Sequence, residues 1–498
     1  MKKSTLPILV LLLSLSGAAY GAEWNGFPPR ARAATFPPQV TKAGVDKIAP
    51  PIQNTLRTSR PDEMITVIVT FEGRANLRPL FQSGRASRST AVIRALQTQA
   101  STAQRDARRW LQQRHAEGDV DDVTPFWIFN GLAVTATPDV IYTLAARPEV
   151  LTITPNGMIR APVLPSTEAT PEPNLSLIHA PDLWDLGVRG QGIVVASMDT
   201  GVDVDHPDLA PQWRGGTNSW FDPHGEHPAI PTDVNGHGTA TMSVVGADDG
   251  GTAIGVAPAA QWIAVKLFDD DDEATSVDVH LGFQWLLDPD EDPDTPDAPD
   301  VVNNSWTFDR TGCQLDFQQD LQALRAAGIL PVFAAGNFGP LAATSASPAN
   351  YPGAFAVGAV DLDDHILLDS SRGPSMCGGD EAIFPEIVAP GVGIRTADLQ
   401  GGYALETGTS IAAPHAAGAL ALLLSAHPDL SVDAQERALL EAAQDLGPSG
   451  PDNDYGYGRL DVFSAHLWLI DRKRHQVYLP LILMETPEVE MQTLSGSY

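Results

Sequence analysis

A chain of 498 residues, 43% hydrophobic and 19% charged, has the composition of a globular protein with room for about two to four domains. A formal net charge of −31 excludes the usual nucleic-acid binder, which neutralises phosphates with Lys and Arg. Two cysteines, Cys313 and Cys377, are too few for a disulfide scaffold or a cysteine-rich zinc module, but they suffice for one bridge.

The chain opens with Lys2 and Lys3, an apolar run from Leu6 to Leu15, and the small residues Gly17, Ala18, Ala19, Gly21 and Ala22. That order predicts a secretory signal over residues 1–22 and an exported protein. The run is too short to span a bilayer. Charge then divides the chain. Residues 1–60 hold 8 Lys and Arg against 2 Asp and Glu, and residues 61–160 hold 11 against 10. From Ala161 onward there are 12 against 50, a net of −38. A shift of that size marks a boundary near Arg160. The Pro, Ser and Thr-rich stretch 161–174 supports it as a linker. The expected organisation is a signal (1–22), an amino-terminal linker (23–60), a small domain (61–160), a linker (161–174), a large domain (175–470) and a tail (471–498). In the tail Arg472, Lys473 and Arg474 precede an apolar run, Val477 to Met484, that is too short to cross a membrane.

The small domain reads as α+β. Met64 to Phe71 is a strand, with Ile65, Val67 and Val69 alternating against Thr66, Ile68 and Thr70. Val92, Leu96, Ala100, Ala103, Ala107 and Leu111 follow the helical period, predicting one long helix over Ser89–Glu117. Val123 to Thr137 reads as two strands turning at Asn130-Gly131. Asp139 to Ala146 is a short helix and Val150 to Thr154 a last strand. The order β-α-β-β-α-β is that of a ferredoxin-like sandwich, which by itself assigns no function.

The large domain alternates buried strands (Ile193 to Met198, Trp262 to Leu267, Ile329 to Ala334) with helices (Ser276 to Leu287, Leu315 to Ala327, Ser410 to Ser425). That pattern predicts an α/β fold, a mostly parallel sheet with helices on both faces. Chemistry in such sheets collects at the carboxyl ends of the strands.

Four motifs stand at such ends. Asp199-Thr200-Gly201 follows the first strand, and a carboxylate there can orient a histidine. An aspartic protease would need a second D-T-G or D-S-G, and the chain has none. Asn235-Gly236-His237-Gly238-Thr239 offers a histidine flanked by glycines, suited to taking and returning a proton. Thr409-Ser410 opens the long uncharged helix, where free N–H groups and the dipole favour negative charge on an attacked carbonyl oxygen. Ala412 departs from the G-x-S-x-G elbow. Asn337, after Ala334-Ala335-Gly336, can donate to an oxyanion. Each alone reads as a turn or cap residue; four together read as one active site.

The order Asp, His, Ser, carried by VASMDTGVDVDHPDL, NGHGT, AAGN and GTSIAAPH, resembles the subtilisin-like serine proteases. The resemblance covers about Asn174 to His466. GVAPAAQWIAVKLF and PDVVNNSW are similar to the bacillopeptidase F-like branch, and PFWIFNGLAVTATPDV to the inhibitor-type propeptides of the family. It implies Ser410 as nucleophile, His237 as general base then acid, Asp199 as its orienting carboxylate and Asn337 as oxyanion donor. It also implies that Ser305, Trp306 and Thr307 form the edge that pairs with an extended substrate. The expected protein is a monomeric secreted endopeptidase acting on peptides and proteins. Its own propeptide serves as intramolecular inhibitor and chaperone, and the chemistry requires no cofactor. A binding module that kept the fold without turnover has no need of all four residues. Ala240 stands where the family has a second histidine, and Thr307 where the branch has glycine beside the first substrate pocket. Asp208 matches a calcium-site aspartate of many subtilisins, and Asp249 is a weaker loop candidate. The acidic stretches Asp269–Glu273 and Asp288–Asp300 read as solvated loops in preference to calcium-binding ones.

Overall fold

The computed structural model describes residues 42–82, 85–161, 172–248, 253–378 and 382–472. The signal, Asp249, most of the 161–174 linker and nearly all of the tail lie outside these residues.

The amino-terminal unit contains strands β1 (Ile65–Phe71), β2 (Val120–Phe126), β3 (Gly131–Ala136) and β4 (Val150–Pro155) in one antiparallel sheet, ordered β2-β3-β1-β4. With its helices this is the expected β-α-β-β-α-β arrangement. Alternation gives β1 two apolar faces. Val67 and Val69 face the unit's own core, while Ile68 joins the core of the large domain.

Three local readings differ. The long helix is two, Arg85–Ala103 and Arg105–Glu117. They part at buried Gln104, whose Nε2 donates to the carbonyls of Phe126 and Gly131. The hairpin turn occupies Trp127–Asn130, with Asn130 at φ 60°, and Gly131 already opens β3. Residues 42–60 do not form a linker as far as the structure describes them. Lys42–Val45 and Pro50–Thr58 are helical, and Ile48, Ile52 and Leu56 are buried in the unit's core. Prolines at the first two positions of the second helix cost no hydrogen bond there.

A three-residue strand, β5 (Met158–Arg160), follows. The large domain then holds β6 (Val194–Asp199), β7 (Trp220–Phe221), β8 (Gln261–Lys266), β9 (Glu273–Thr275), β10 (Val301–Asn304), β11 (Leu330–Ala334), β12 (Phe355–Val360), β13 (Ile387–Pro390), β14 (Ile394–Asp398) and β15 (Gly402–Glu406). Seven strands form one all-parallel sheet, ordered β13-β12-β11-β10-β6-β8-β7. Its strands are apolar on both faces because helices cover both. Val195, Ala264, Val301 and Val332 meet the side of helices His237–Gly246 and Thr409–Ala426. Their neighbours Ala196, Ile263, Val302 and Phe333 meet Ser276–Leu287 and Gln318–Ala327. Helix Thr409–Ala426 is long and apolar enough to cross a bilayer, but 89% of it is buried inside this core.

The amino-terminal unit sits on helices Ser276–Leu287 and Gln318–Ala327. The Phe129 ring stacks on His280 at 4.0 Å, over a buried His280–Asp320 pair whose closest contact is 3.0 Å. Burial outweighs the favourable histidine and holds the Asp320 carboxyl above its usual range. The Trp127 N–H donates to Gln284, and Asn156 accepts from the Val277 N–H in the first turn of helix Ser276–Leu287. A disulfide joins Cys313 to Cys377 across 64 residues.

Candidate active site

Asp199 ends β6 and is fully buried. Its Oδ1 accepts from His237 Nδ1 at 2.6 Å and from the Thr200 N–H at 2.8 Å, and Thr241 Oγ1 donates to Oδ2 at 3.3 Å. These donors fix the carboxylate and, through it, the imidazole with Nε2 pointing away.

His237 opens helix His237–Gly246. Gly238 lets this helix start close against the turn after β6, where a Cβ would lie 2.0 Å from the Gly201 carbonyl oxygen. Asp233, missed in the sequence, builds the same turn. Its Oδ1 accepts from Thr200 Oγ1 and the N–H groups of Asn235 and Gly236, and its Oδ2 from Thr239 N–H and Oγ1. The signal was an aspartate a few residues before a helix start, the position of a capping carboxylate. Burial pulls the His237 pKa down, but the Asp199 carboxylate, with Asp233 and Glu406 behind it, holds it above the ordinary imidazole value.

Ser410 stands in the first turn of helix Thr409–Ala426 and is 1% exposed. Neither Ser410 Oγ nor His237 Nε2 has a hydrogen-bond partner among the described residues. A nucleophile and a base left free in one site tighten only once a substrate is in place. Asn337 is bound through its oxygen, which accepts from Thr409 N–H and Thr409 Oγ1 at 3.0 Å each, so its Nδ2 is the end left to donate. A Cβ on Gly408 would lie 3.2 Å from Ser410 Oγ and 3.5 Å from Asn337 Nδ2, so both atoms flank one small gap. The structure thus brings Asp199, His237, Ser410 and Asn337 to one end of the parallel sheet.

Beside them lies a cavity of about 200 Å³, lined by Ser305, Trp306, Thr307, Asn337, Ser410 and, from the chain's own amino-terminal side, Arg160 and Ala161. Ser305–Thr307 follow the end of β10. The Ser305 hydroxyl donates to the Ser410 carbonyl at 2.7 Å, and the Thr307 hydroxyl to the Phe308 carbonyl at 3.0 Å. Next to the cavity the chain's own β5 runs antiparallel to β9, and Arg160 at its end lines the cavity. Ala161 N–H donates to the Asp272 carbonyl at 2.9 Å, Ser276 N–H to the Gly157 carbonyl at 2.8 Å, and Arg160 pairs with Glu273 at 2.7 Å. Ile159 is 1% exposed in the same apolar cluster as Ala274, Trp306 and Phe308. Sequence reasoning missed this pairing because the acidic run Asp269–Glu273 masks the short strand that follows it.

Ala240 is buried, and its N–H closes the first turn onto the Gly236 carbonyl at 2.9 Å. Asp208 is 1% exposed; its Oδ2 accepts from the Tyr403 hydroxyl at 2.7 Å, while its Oδ1 has no partner among the described residues. An unsatisfied buried carboxylate oxygen fits a cation ligand.

Residues 190–458 match the Subtilase family. The chain is 37% identical to Bacillopeptidase F of Bacillus subtilis (strain 168) over 420 residues, 76% of this chain and 28% of that protein. It is 31% identical to Serine protease AprX of the same strain over 367 residues, 67% of this chain and 78% of AprX. Subtilisin E, also of that strain, is 34% identical over 295 residues, 58% of this chain and 70% of its own length. The chain therefore spans under a third of Bacillopeptidase F but most of AprX and Subtilisin E. A matched region exceeding half the chain and a relative aligned over most of its own length lead to one conclusion: this chain belongs to the subtilase family of serine endopeptidases.

Proposed function

We propose that the protein is the zymogen of an exported serine endopeptidase whose amino-terminal unit inhibits it until the chain cuts itself. The observation that carries this is that the chain's own β5 pairs along β9 and its Arg160 and Ala161 line the cavity that Ser410 and Asn337 also line. A protein substrate binds in the same extended form, as an added strand.

Ser410 Oγ attacks the carbonyl carbon of the bound peptide while its proton passes to His237 Nε2. The oxyanion that forms receives hydrogen bonds from Asn337 Nδ2 and the Ser410 N–H. Asp199 stabilises the imidazolium. The C–N bond breaks, the amine leaves with the proton from His237, and Ser410 holds the acyl group as an ester. A water deprotonated by His237 then attacks the ester, which frees the acid and restores Ser410. In the first turnover the substrate is the chain itself, and the scissile bond lies within the few residues beyond Ala161.

Structural calcium belongs to the same proposal. Asp208 Oδ1 would be one ligand and Asp249, next in sequence to the Asp248 whose N–H donates to the Asp208 carbonyl at 3.1 Å, a second; the ion would brace that turn without entering the chemistry.

The test compares the wild type with Ser410→Ala, both expressed for export, by intact mass and amino-terminal sequencing. The wild type should begin a few residues after Ala161, hydrolyse casein and have lost the signal and the amino-terminal unit. Ser410→Ala should lose only the signal. Two unprocessed, inactive proteins would overturn the reading, and identical trimming of both would remove self-processing from it.

A further inference from the structure

Helix Ser276–Leu287 is joined to β10 by thirteen residues, DPDEDPDTPDAPD, holding seven acidic side chains and no basic one. Three of these converge: one carboxylate oxygen from each of Asp288, Asp290 and Asp297 lies within 4.8 Å of the other two. Two oxygens bound to one calcium ion at about 2.4 Å are at most twice that distance apart, so a single ion can bridge the set.

Exposed acidic clusters are common without an ion, and the decisive observation concerns Asp288. It is only 6% exposed, and its Oδ1 has no hydrogen-bond partner among the described residues. It also caps the carboxyl end of helix Ser276–Leu287, where the dipole disfavours negative charge. Its neighbours do not supply the missing charge. Arg214 lies beside the loop but donates to the carbonyls of Asp297 and Asn218 and to Ser219 Oγ. Asp297 Oδ2 accepts from Asn218, and both oxygens of Asp290 accept from the Thr295 hydroxyl. The neutral donors orient the carboxylates, and the charge of Arg214 acts on Asp297 but leaves Asp288 without a cation. By contrast, the second acidic group of the domain, Glu226, His227 and Asp270, is already compensated by the His227 and Lys266 contacts to Asp270.

We propose that Asp288, Asp290 and Asp297 form a binding site for a hard divalent cation, calcium in preference to magnesium or zinc. The set offers only oxygen, which disfavours zinc. Backbone carbonyls of an irregular loop and water can complete the six to eight oxygen ligands calcium takes, whereas magnesium demands near-ideal octahedral geometry. The bound ion would fasten the end of helix Ser276–Leu287 to the start of β10, the strand that leads into Ser305–Thr307 at the cleft. It would also brace the loop against the amino-terminal unit, whose Arg94 pairs with Asp294.

The experiment uses the full-length Ser410→Ala chain, stripped with EDTA and titrated with CaCl2 by calorimetry. Terbium luminescence excited through Trp285, three residues before Asp288, gives a second readout. Asp290→Asn and Asp297→Asn, added singly, should each remove one calcium equivalent or weaken it at least ~10-fold, with unchanged far-UV circular dichroism. Asp208→Asn should leave this equivalent in place. Asp290 is exposed, so its variant keeps the test open even where Asp288→Asn fails to fold. Unchanged stoichiometry and affinity in both Asp290→Asn and Asp297→Asn would overturn the site, and magnesium binding as tight as calcium would overturn the choice of ion. Because the parent is catalytically dead, the result does not depend on the protease reading.

Discussion

Two histidines of this fold show how surroundings divide one residue type into different roles. His415 is fully buried, donates through Nδ1 to the Ile411 carbonyl and accepts from Asn174 at Nε2; burial lowers its pKa to about 4, so it stays neutral and structural. His237 is equally buried, but its carboxylate neighbours more than offset the burial. A general base works only when deprotonated, so a raised pKa places the acidic limb of kcat/KM above the ordinary imidazole value of about 6.5. Burial also pushes the Glu406 carboxyl up to about 7, against the opposing pull of His237. The two groups therefore titrate together. Replacing Glu406 with Gln removes one contributor to the high His237 pKa. The limb should move to lower pH, by less than about one unit, and sharpen to a single proton; a limb unchanged in position and slope in the mature enzyme would refute the coupling. Asn337→Leu should lower kcat about 100- to 1000-fold with little change in KM, since the lost donor acts mainly on the oxyanion. Steady-state assays of the mature variant decide this, and a loss confined to KM would contradict it. Asp199, His237, Asn337 and Ser410 were legible because each stands beside glycine or a helix start at the end of an apolar run. Glu406 was not, because nothing in GYALE separates it from an ordinary strand residue. Its proximity to His237 exists only once β15 folds back on β14.

At the scale of elements, legibility followed length. Helix Ser276–Leu287 appears with the bounds read from its periodicity, and it begins with a reciprocal cap between Thr275 and Asp278. β5 and β9, three residues each, carry no periodicity, yet their pairing is what lays the chain's own peptide along the large domain. The break at Gln104 was hidden for a different reason. The apolar spacing continues through it, and what interrupts the helix is a tertiary demand, the open carbonyls of β2 and β3. On the proposed inhibition, the β5 contacts predict a hierarchy of effects when the separate amino-terminal unit is added to the processed enzyme. Arg160→Glu reverses one partly exposed ion pair and places a like charge beside Glu273, so it should weaken inhibition about 2- to 10-fold. Ile159→Ala removes a fully buried side chain, at a cost of about 2 kcal/mol or more, and should weaken it at least ~30-fold. Inhibition constants measured for the two variants test the order. Equal effects would mean that β5 is held by its backbone pairing alone.

For the whole molecule, the charge boundary near Arg160 was informative about composition but not about contact. The near-neutral unit meets the −38 domain through Val92, Ile93 and Leu96 of helix Arg85–Ala103 and through Ile68, Phe126, Ile128, Phe129 and Ile159, with Arg94–Asp294 and Arg160–Glu273 at the margins. Apolar contact sets the strength, and charge steers the approach. The helices before residue 60 were readable in principle: Ile48, Ile52 and Leu56 recur every four residues behind two prolines that suit a helix start. A composition-based boundary passed over them. Long-range closure lies furthest from local sequence, and the Cys313–Cys377 bond is its clearest case. Its two thiols are 64 residues apart and meet only because Ser345, Ser347 and Asn350 organise the loops between them. Closing a loop of that length restricts the unfolded chain by about 4 kcal/mol in the chain-entropy account. The Cys313→Ser, Cys377→Ser double variant in the Ser410→Ala background should therefore melt roughly 5 °C lower by calorimetry. Phe308 at the cavity is tied through its N–H to the Ser347 carbonyl at 2.8 Å, within the same set of loops. The double variant made with Ser410 intact should accordingly lose substrate affinity before it loses fold, with KM rising at temperatures well below its melting point. A melting point within a degree or two of the parent would show that the hydrogen bonds around Ser347 and Asn350 hold these loops without the bond.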